Sequence, residues 1–70
     1  MSKFYVYRGF NQFDGLGCNA DSKEQAQSLI KEAMTDEFGN TCDCRLDDIY
    51  EFDCQEAFEA SRLYTELCEG

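Results

Sequence analysis

Residues 21–34, DSKEQAQSLIKEAM, decide the fold of this chain. Asp21-Ser22-Lys23-Glu24 is a capping-box pattern: the Asp21 carboxylate accepts an early helix N–H, and Glu24 reaches back toward the cap. Behind it Ala26, Leu29, Ile30, Ala33 and Met34 recur at i, i+3, i+4, i+7 and i+8, the apolar stripe of an amphipathic helix. Such a stripe needs an apolar surface to lie on. Gly39-Asn40 closes the segment, Gly39 being suited to the left-handed residue past a helix end.

Upstream, Lys3 to Phe10 reads as a strand, with Phe4, Val6 and Arg8 on one face and Tyr5 and Tyr7 on the other. Asn11 to Gly17 carries turn chemistry, Asp14-Gly15 foremost, and a short second strand from Leu16 to Ala20 closes a hairpin. Downstream, Thr41 to Leu46 and Ile49 to Phe52 read as strands, or as one bent strand broken at Asp47-Asp48. Asp53-Cys54-Gln55-Glu56 repeats the capping pattern. The helix behind it gathers Ala57, Ala60, Leu63, Tyr64, Leu67 and Cys68 on one arc, with Glu59, Arg62, Glu66 and Glu69 opposite.

The expected fold is α+β, a single domain over residues 1–70. Its order is strand-(strand)-helix-strand-(strand)-helix, giving a small, mainly antiparallel sheet with two helices packed on one face. That arrangement leaves Tyr5 and Tyr7 on an open sheet face. It also places Phe58 on the polar side of the second helix as a contact anchor; the alternative is that Phe58 folds onto the sheet as core.

Composition narrows the function classes. A 70-residue chain buries only about 60% of its unfolded surface, but 43% hydrophobic residues, six Phe and four Tyr among them, suffice for a core. Met1-Ser2-Lys3 leads straight into Phe4, without the succession of a secretory signal, and no apolar run approaches the roughly 20 residues of a membrane span. A cytoplasmic location with no membrane association is the expectation. The five cysteines, Cys18, Cys42, Cys44, Cys54 and Cys68, are odd in number and irregularly spaced, so free buried thiols are expected rather than a disulfide framework. Cys42-x-Cys44 lacks the spacing and histidine partners of common zinc sites, and no metal or other cofactor is expected. Gly15-x-Gly17-x-x-Ala20 matches a dinucleotide fingerprint only formally, because the helix begins after it at an anionic Asp21. With no histidine and no legible nucleophile–base arrangement, no catalytic residue is assigned and the chain reads as a non-enzyme.

Charge is the strongest functional signal. The net charge is −9. Residues 1–35 carry four bases and four acids, whereas residues 36–70 carry eleven acids against Arg45 and Arg62, so the whole excess lies in the second half. This repels nucleic acid directly and attracts basic surfaces. Asp43, Asp47, Asp48, Glu51, Glu59 and Glu66 are the candidate partner-binding acids, with Tyr50 and Phe58 as nearby aromatics that add apolar affinity. Carboxylates about 6.6 Å apart along a strand, or about 5–6 Å apart on a helix, can occupy positions where a basic groove expects phosphates. The competing reading is an acidic face that only solvates a small protein.

In its size, acidity and lack of a catalytic motif, the chain resembles small phage-encoded anti-defence inhibitors, notably anti-CRISPR proteins and anti-restriction DNA mimics. Residues 4–34, a strand and hairpin running into Ala20-Asp21-Ser22-x-Glu24-x-Ala26, also resemble small phage and mobile-element proteins of ββα type. Neither likeness carries a residue-level motif, so no family site is transferred. The class implies a monomer or homodimer in the host-cell cytoplasm that binds a nuclease or other basic nucleic-acid-handling complex and competes with its DNA or RNA. Two other readings stay open: an assembly subunit that forms homo-oligomers through its open sheet face, and a metal or redox module built on the cysteines.

Overall fold

A computed structural model describes residues 2–10, 12–41 and 43–69. The fold is α+β, with a three-stranded antiparallel sheet. In chain order the elements are β1 (Lys3–Tyr7), β2 (Gly17–Ala20), α1 (Lys23–Ala33), a 3₁₀ turn (Leu46–Asp48), β3 (Ile49–Phe52), α2 (Gln55–Glu59) and α3 (Arg62–Glu69). The strand order is β2-β1-β3, with β1 central. Among the described residues, no helix is long and apolar enough to cross a membrane.

The hairpin between β1 and β2 closes through a glycine bulge. Gly15, at φ 92°, donates its N–H to the Tyr7 carbonyl, while the Tyr7 N–H bonds to the Leu16 carbonyl at 2.8 Å. A residue with φ > 0 opposite a single partner is the bulge geometry glycine serves best. Gly17 has a different reason to be glycine: a Cβ there would lie 2.5 Å from the Phe4 ring, which packs across it.

The helices lie on opposite faces of the sheet, which corrects the expectation of a single covered face. Alternation along β1 sends Tyr5 and Tyr7 to one side, where they pack with Ala20, Ala26, Ile30, Met34, Cys44 and Ile49 under α1. Phe4 and Val6 point the other way, into a cluster with Phe52, Phe58, Leu63, Tyr64 and Leu67. Tyr5 and Tyr7 are therefore core residues. A central strand apolar at four consecutive positions is the signature of a sheet covered on both sides.

Phe58 is the hub of the second cluster. Its ring centroid is 5.6 Å from Phe4, 5.2 Å from Phe52 and 5.3 Å from Tyr64, the last edge-on. Such pairs add about 0.5–1.5 kcal/mol beyond the area they bury. Phe58 reaches this position because the expected single helix breaks after Glu59. Ser61 caps the start of α3: its hydroxyl accepts from the Tyr64 N–H and donates to the Phe58 carbonyl. The break turns Phe58 inward instead of leaving it beside Glu59 and Arg62.

Other local expectations shift in similar ways. Ser22, not Asp21, caps α1, accepting from the Gln25 N–H at 3.1 Å, and Gln25 Oε1 rather than Glu24 accepts from the Asp21 N–H at 2.7 Å. The α2 cap residue is Cys54, whose side chain makes no capping bond. Helix α1 ends at Ala33. Gly39, at φ 85°, belongs instead to a separate loop closed by the Thr35–Thr41 bridge. Residues 43–45 are irregular and lead into the 3₁₀ turn rather than forming a strand; Cys42, part of that expected strand, lies outside the described residues, as does Asn11 of the expected turn. Leu29, expected in the core, is 41% exposed.

Candidate acidic docking surface

Two of the chosen acids are neutralised by cations from the opposite end of the chain. Lys3 Nζ lies 2.7 Å from Glu51 Oε1 and 4.0 Å from Asp53 Oδ1, because β1 and β3 pair with Tyr5 opposite Glu51. Arg8 Nη1 lies 2.9 Å from Glu66 Oε2. The Lys3 amine is correspondingly raised above its ordinary pKa, chiefly by its hydrogen bond to Glu51. Glu51 and Glu66 are thus structural ion-pair partners. Among the described residues, Asp43, Asp47, Asp48 and Glu59 have no cation within ion-pair distance.

The uncompensated acids do not form one continuous row. Asp47 and Asp48 occupy the 3₁₀ turn at the entry to the edge strand β3, and Asp43 lies just before it on exposed chain. The segment is pinned from below: the Tyr7 hydroxyl donates to the Asp43 carbonyl, Gln27 Nε2 donates to the Cys44 carbonyl at 2.7 Å, and the Arg8 N–H donates to the Asp48 carbonyl at 2.8 Å. Backbone bonds thus hold this short stretch while Asp43 and Asp47 stay exposed and Asp48 is half-buried. Glu59 sits apart on α2, beside a shallow open depression lined with Cys54, Gln55 and Glu56.

Of the two chosen aromatics, only Tyr50 is on the surface. It stands on β3 opposite Val6 and is 46% exposed, with exposed Leu46 close by in sequence. Phe58 is buried and unavailable to a partner, which corrects its choice as a contact anchor. The surviving candidates are Asp43, Asp47 and Asp48, with exposed Leu46 between them in sequence; Tyr50, paired with Val6, stands on the sheet face opposite Cys44 and Ile49.

Sequence reasoning missed Phe10. It is 79% exposed and has φ 56°, a left-handed backbone that bulky residues rarely adopt. Asp14 Oδ1 holds it there, accepting the N–H groups of both Gly9 and Phe10 at 2.6 Å. The Arg8 guanidinium carbon lies 4.7 Å from the centre of its ring, a cation–π contact. The one signal for this in the sequence was Asp14 four residues downstream, a side chain able to accept from backbone N–H groups of a tight turn.

The thiols divide by environment. Cys18 and Cys44 have their pKa raised by burial, with Asp48 adding to the effect at Cys44, whereas Cys54 and Cys68 are exposed. Among the described residues, no three of the His, Cys, Asp and Glu side chains converge as a group able to hold a metal ion. Comparison of the chain with protein-family models, with curated proteins and with solved structures found no match.

Proposed function

We propose that this chain is a non-enzymatic interaction protein whose acidic surface at the entry to β3 docks in a basic groove of a nucleic-acid-handling protein and competes with the DNA or RNA bound there, in the manner of small anti-CRISPR or anti-restriction inhibitors. The observation that carries this reading is the placement of Asp43, Asp47 and Asp48. They crowd one short stretch whose backbone is bonded to β1 and α1, and among the described residues no cation lies within ion-pair distance of them. A backbone already held in place costs little to order on binding, and complementary charge accelerates encounter with a basic partner. Exposed Leu46, between Asp43 and Asp47 in sequence, adds the apolar contact that distributed charge alone lacks.

The test is affinity capture from bacterial lysate followed by binding measurements on the purified partner. Wild type should retain a basic nucleic-acid-binding protein, displace its nucleic acid, and release it as salt rises. Replacing Asp43, Asp47 and Asp48 together by Asn should weaken that complex while leaving the melting curve unchanged. If the triple variant binds as tightly as wild type at low salt, the acids serve solvation alone.

A further inference from the structure

We propose that the outer edge of β2, with the flank of α1 beside it, is a self-association surface that takes a second copy of this chain. The strand order β2-β1-β3 leaves two outer edges. The β3 edge is guarded: Asp47 and Asp48 stand at its entry with no ion pair among the described residues, and like charges of this kind oppose pairing with a second copy. The β2 edge, Gly17-Cys18-Asn19-Ala20, carries no charge and no proline, and a single acid, Asp21, adjoins it in sequence.

The bonds at the bulge show which backbone groups are open. Tyr7 bonds to Leu16, and ladder alternation from that pair turns the polar groups of Cys18 and Ala20 toward β1. The N–H and C=O groups of Gly17 and Asn19 therefore point outward, along a strand whose only bulge precedes it. In an antiparallel pairing centred on Cys18, Gly17 and Asn19 of one copy exchange hydrogen bonds with Asn19 and Gly17 of the other.

A second observation falls on the same side. Ala26, Ile30 and Met34 direct α1 onto the sheet. At about 100° per residue, Gln27 then lies on one flank and Leu29 and Ala33 on the other. Gln27 reaches the Cys44 carbonyl, on the chain leading to β3, whereas the Cys18 thiol of β2 lies against the Ala26 carbonyl at 3.9 Å. Leu29, the exposed apolar residue of α1, thus overhangs β2. Paired β2 edges would bring the Leu29 flanks of two copies together.

Charge selects a second copy for this edge. Residues 1–35, which contain the whole surface, have no net charge, while the −9 resides in residues 36–70. Pairing through β2 sets the two β3 edges at the far ends of a joined sheet, the placement that least opposes association.

Sedimentation of the full chain over a concentration series tests this directly. Wild type should dimerise, and more tightly as salt screens the residual repulsion. Leu29→Lys should weaken dimerisation by about tenfold or more. Asn19→Pro, which deletes an outward N–H without touching the β1 ladder, should do the same. Circular dichroism verifies that each variant folds; if Asn19→Pro does not, Leu29→Lys decides alone. A wild type that stays monomeric, a dimer indifferent to Leu29→Lys, or a dimer lost instead on neutralising Asp47 and Asp48 overturns the proposal. Loss of partner binding in the Asp43, Asp47 and Asp48 variant with the dimer intact separates this surface from the acidic one.

Discussion

Arg8 Nη1 donates to Glu66 Oε2 at 2.9 Å across 58 residues of sequence, fastening the end of β1 to α3. The Arg8 side chain is only 16% exposed, and its buried Nε has no hydrogen-bond partner among the described residues. Removing the carboxylate would leave a largely buried cation with its main partner gone. Glu66→Ala should therefore cost about 1 kcal/mol, discounted from the value for a fully buried pair because Glu66 is half-exposed. Glu69→Ala, on the same helix and without an ion pair among the described residues, should cost less. Urea midpoints compare them; equal values would mean that the Arg8 contact contributes nothing.

Phe58 and Leu29 have exchanged the places their sequence context implies, and stability measures this. Phe58→Ala empties the centre of an aromatic cluster and should cost about 3–5 kcal/mol, most of the stability of so small a domain. Leu29→Ala should cost about half as much or less in the monomer, since 41% of its surface is already in water. Chemical denaturation at low protein concentration, below any self-association, distinguishes them. Similar losses for the two variants would contradict the burial pattern.

Asp36 organises the loop after α1. Its Oδ1 accepts the N–H groups of Asn40 at 2.8 Å and Phe38 at 2.9 Å, and these bonds, Asn40 first, hold its carboxyl below the usual pKa of about 3.8. A depressed carboxylate contributes stability that is present above the unfolded pKa and lost as pH falls through the folded one. The loop should therefore stay closed through mildly acidic pH and open only below about pH 3.8. Amide shifts of Phe38 and Asn40 followed by NMR should titrate together in that range. A midpoint at or above the ordinary carboxyl value would show that the bonds do not form in solution.

Thiol labelling should divide the cysteines in the native protein. Cys54 and Cys68 are exposed, whereas Cys44 is buried and Cys18 half-buried, and burial raises the pKa of both, lowering their thiolate fraction at neutral pH. Brief alkylation followed by peptide mapping should find Cys54 and Cys68 modified first, and Cys18 and Cys44 only on unfolding. Early modification of Cys44 would mean that the chain over β1 opens readily.

The α+β class, the first hairpin, α1 and β3 were legible in the sequence because each rests on local chemistry. Asp14-Gly15 makes the turn, a polar cap precedes α1, and apolar residues recur with the period of a helix or strand. The charge asymmetry was legible too, being a sum over residues. Tertiary structure decided the sidedness of the helices. The alternation of Phe4, Tyr5, Val6 and Tyr7 gives two apolar faces, and only the packing of Phe58 with Phe52 shows that the second helical segment covers the face opposite α1. It also decided which acids are free. Lys3 and Arg8 are distant in sequence from Glu51 and Glu66, and the pairing of β1 with β3 and the docking of α3 bring them together. Local periodicity records which side of an element is apolar; which element meets that side depends on contacts between residues far apart in the chain, and no local pattern encodes those.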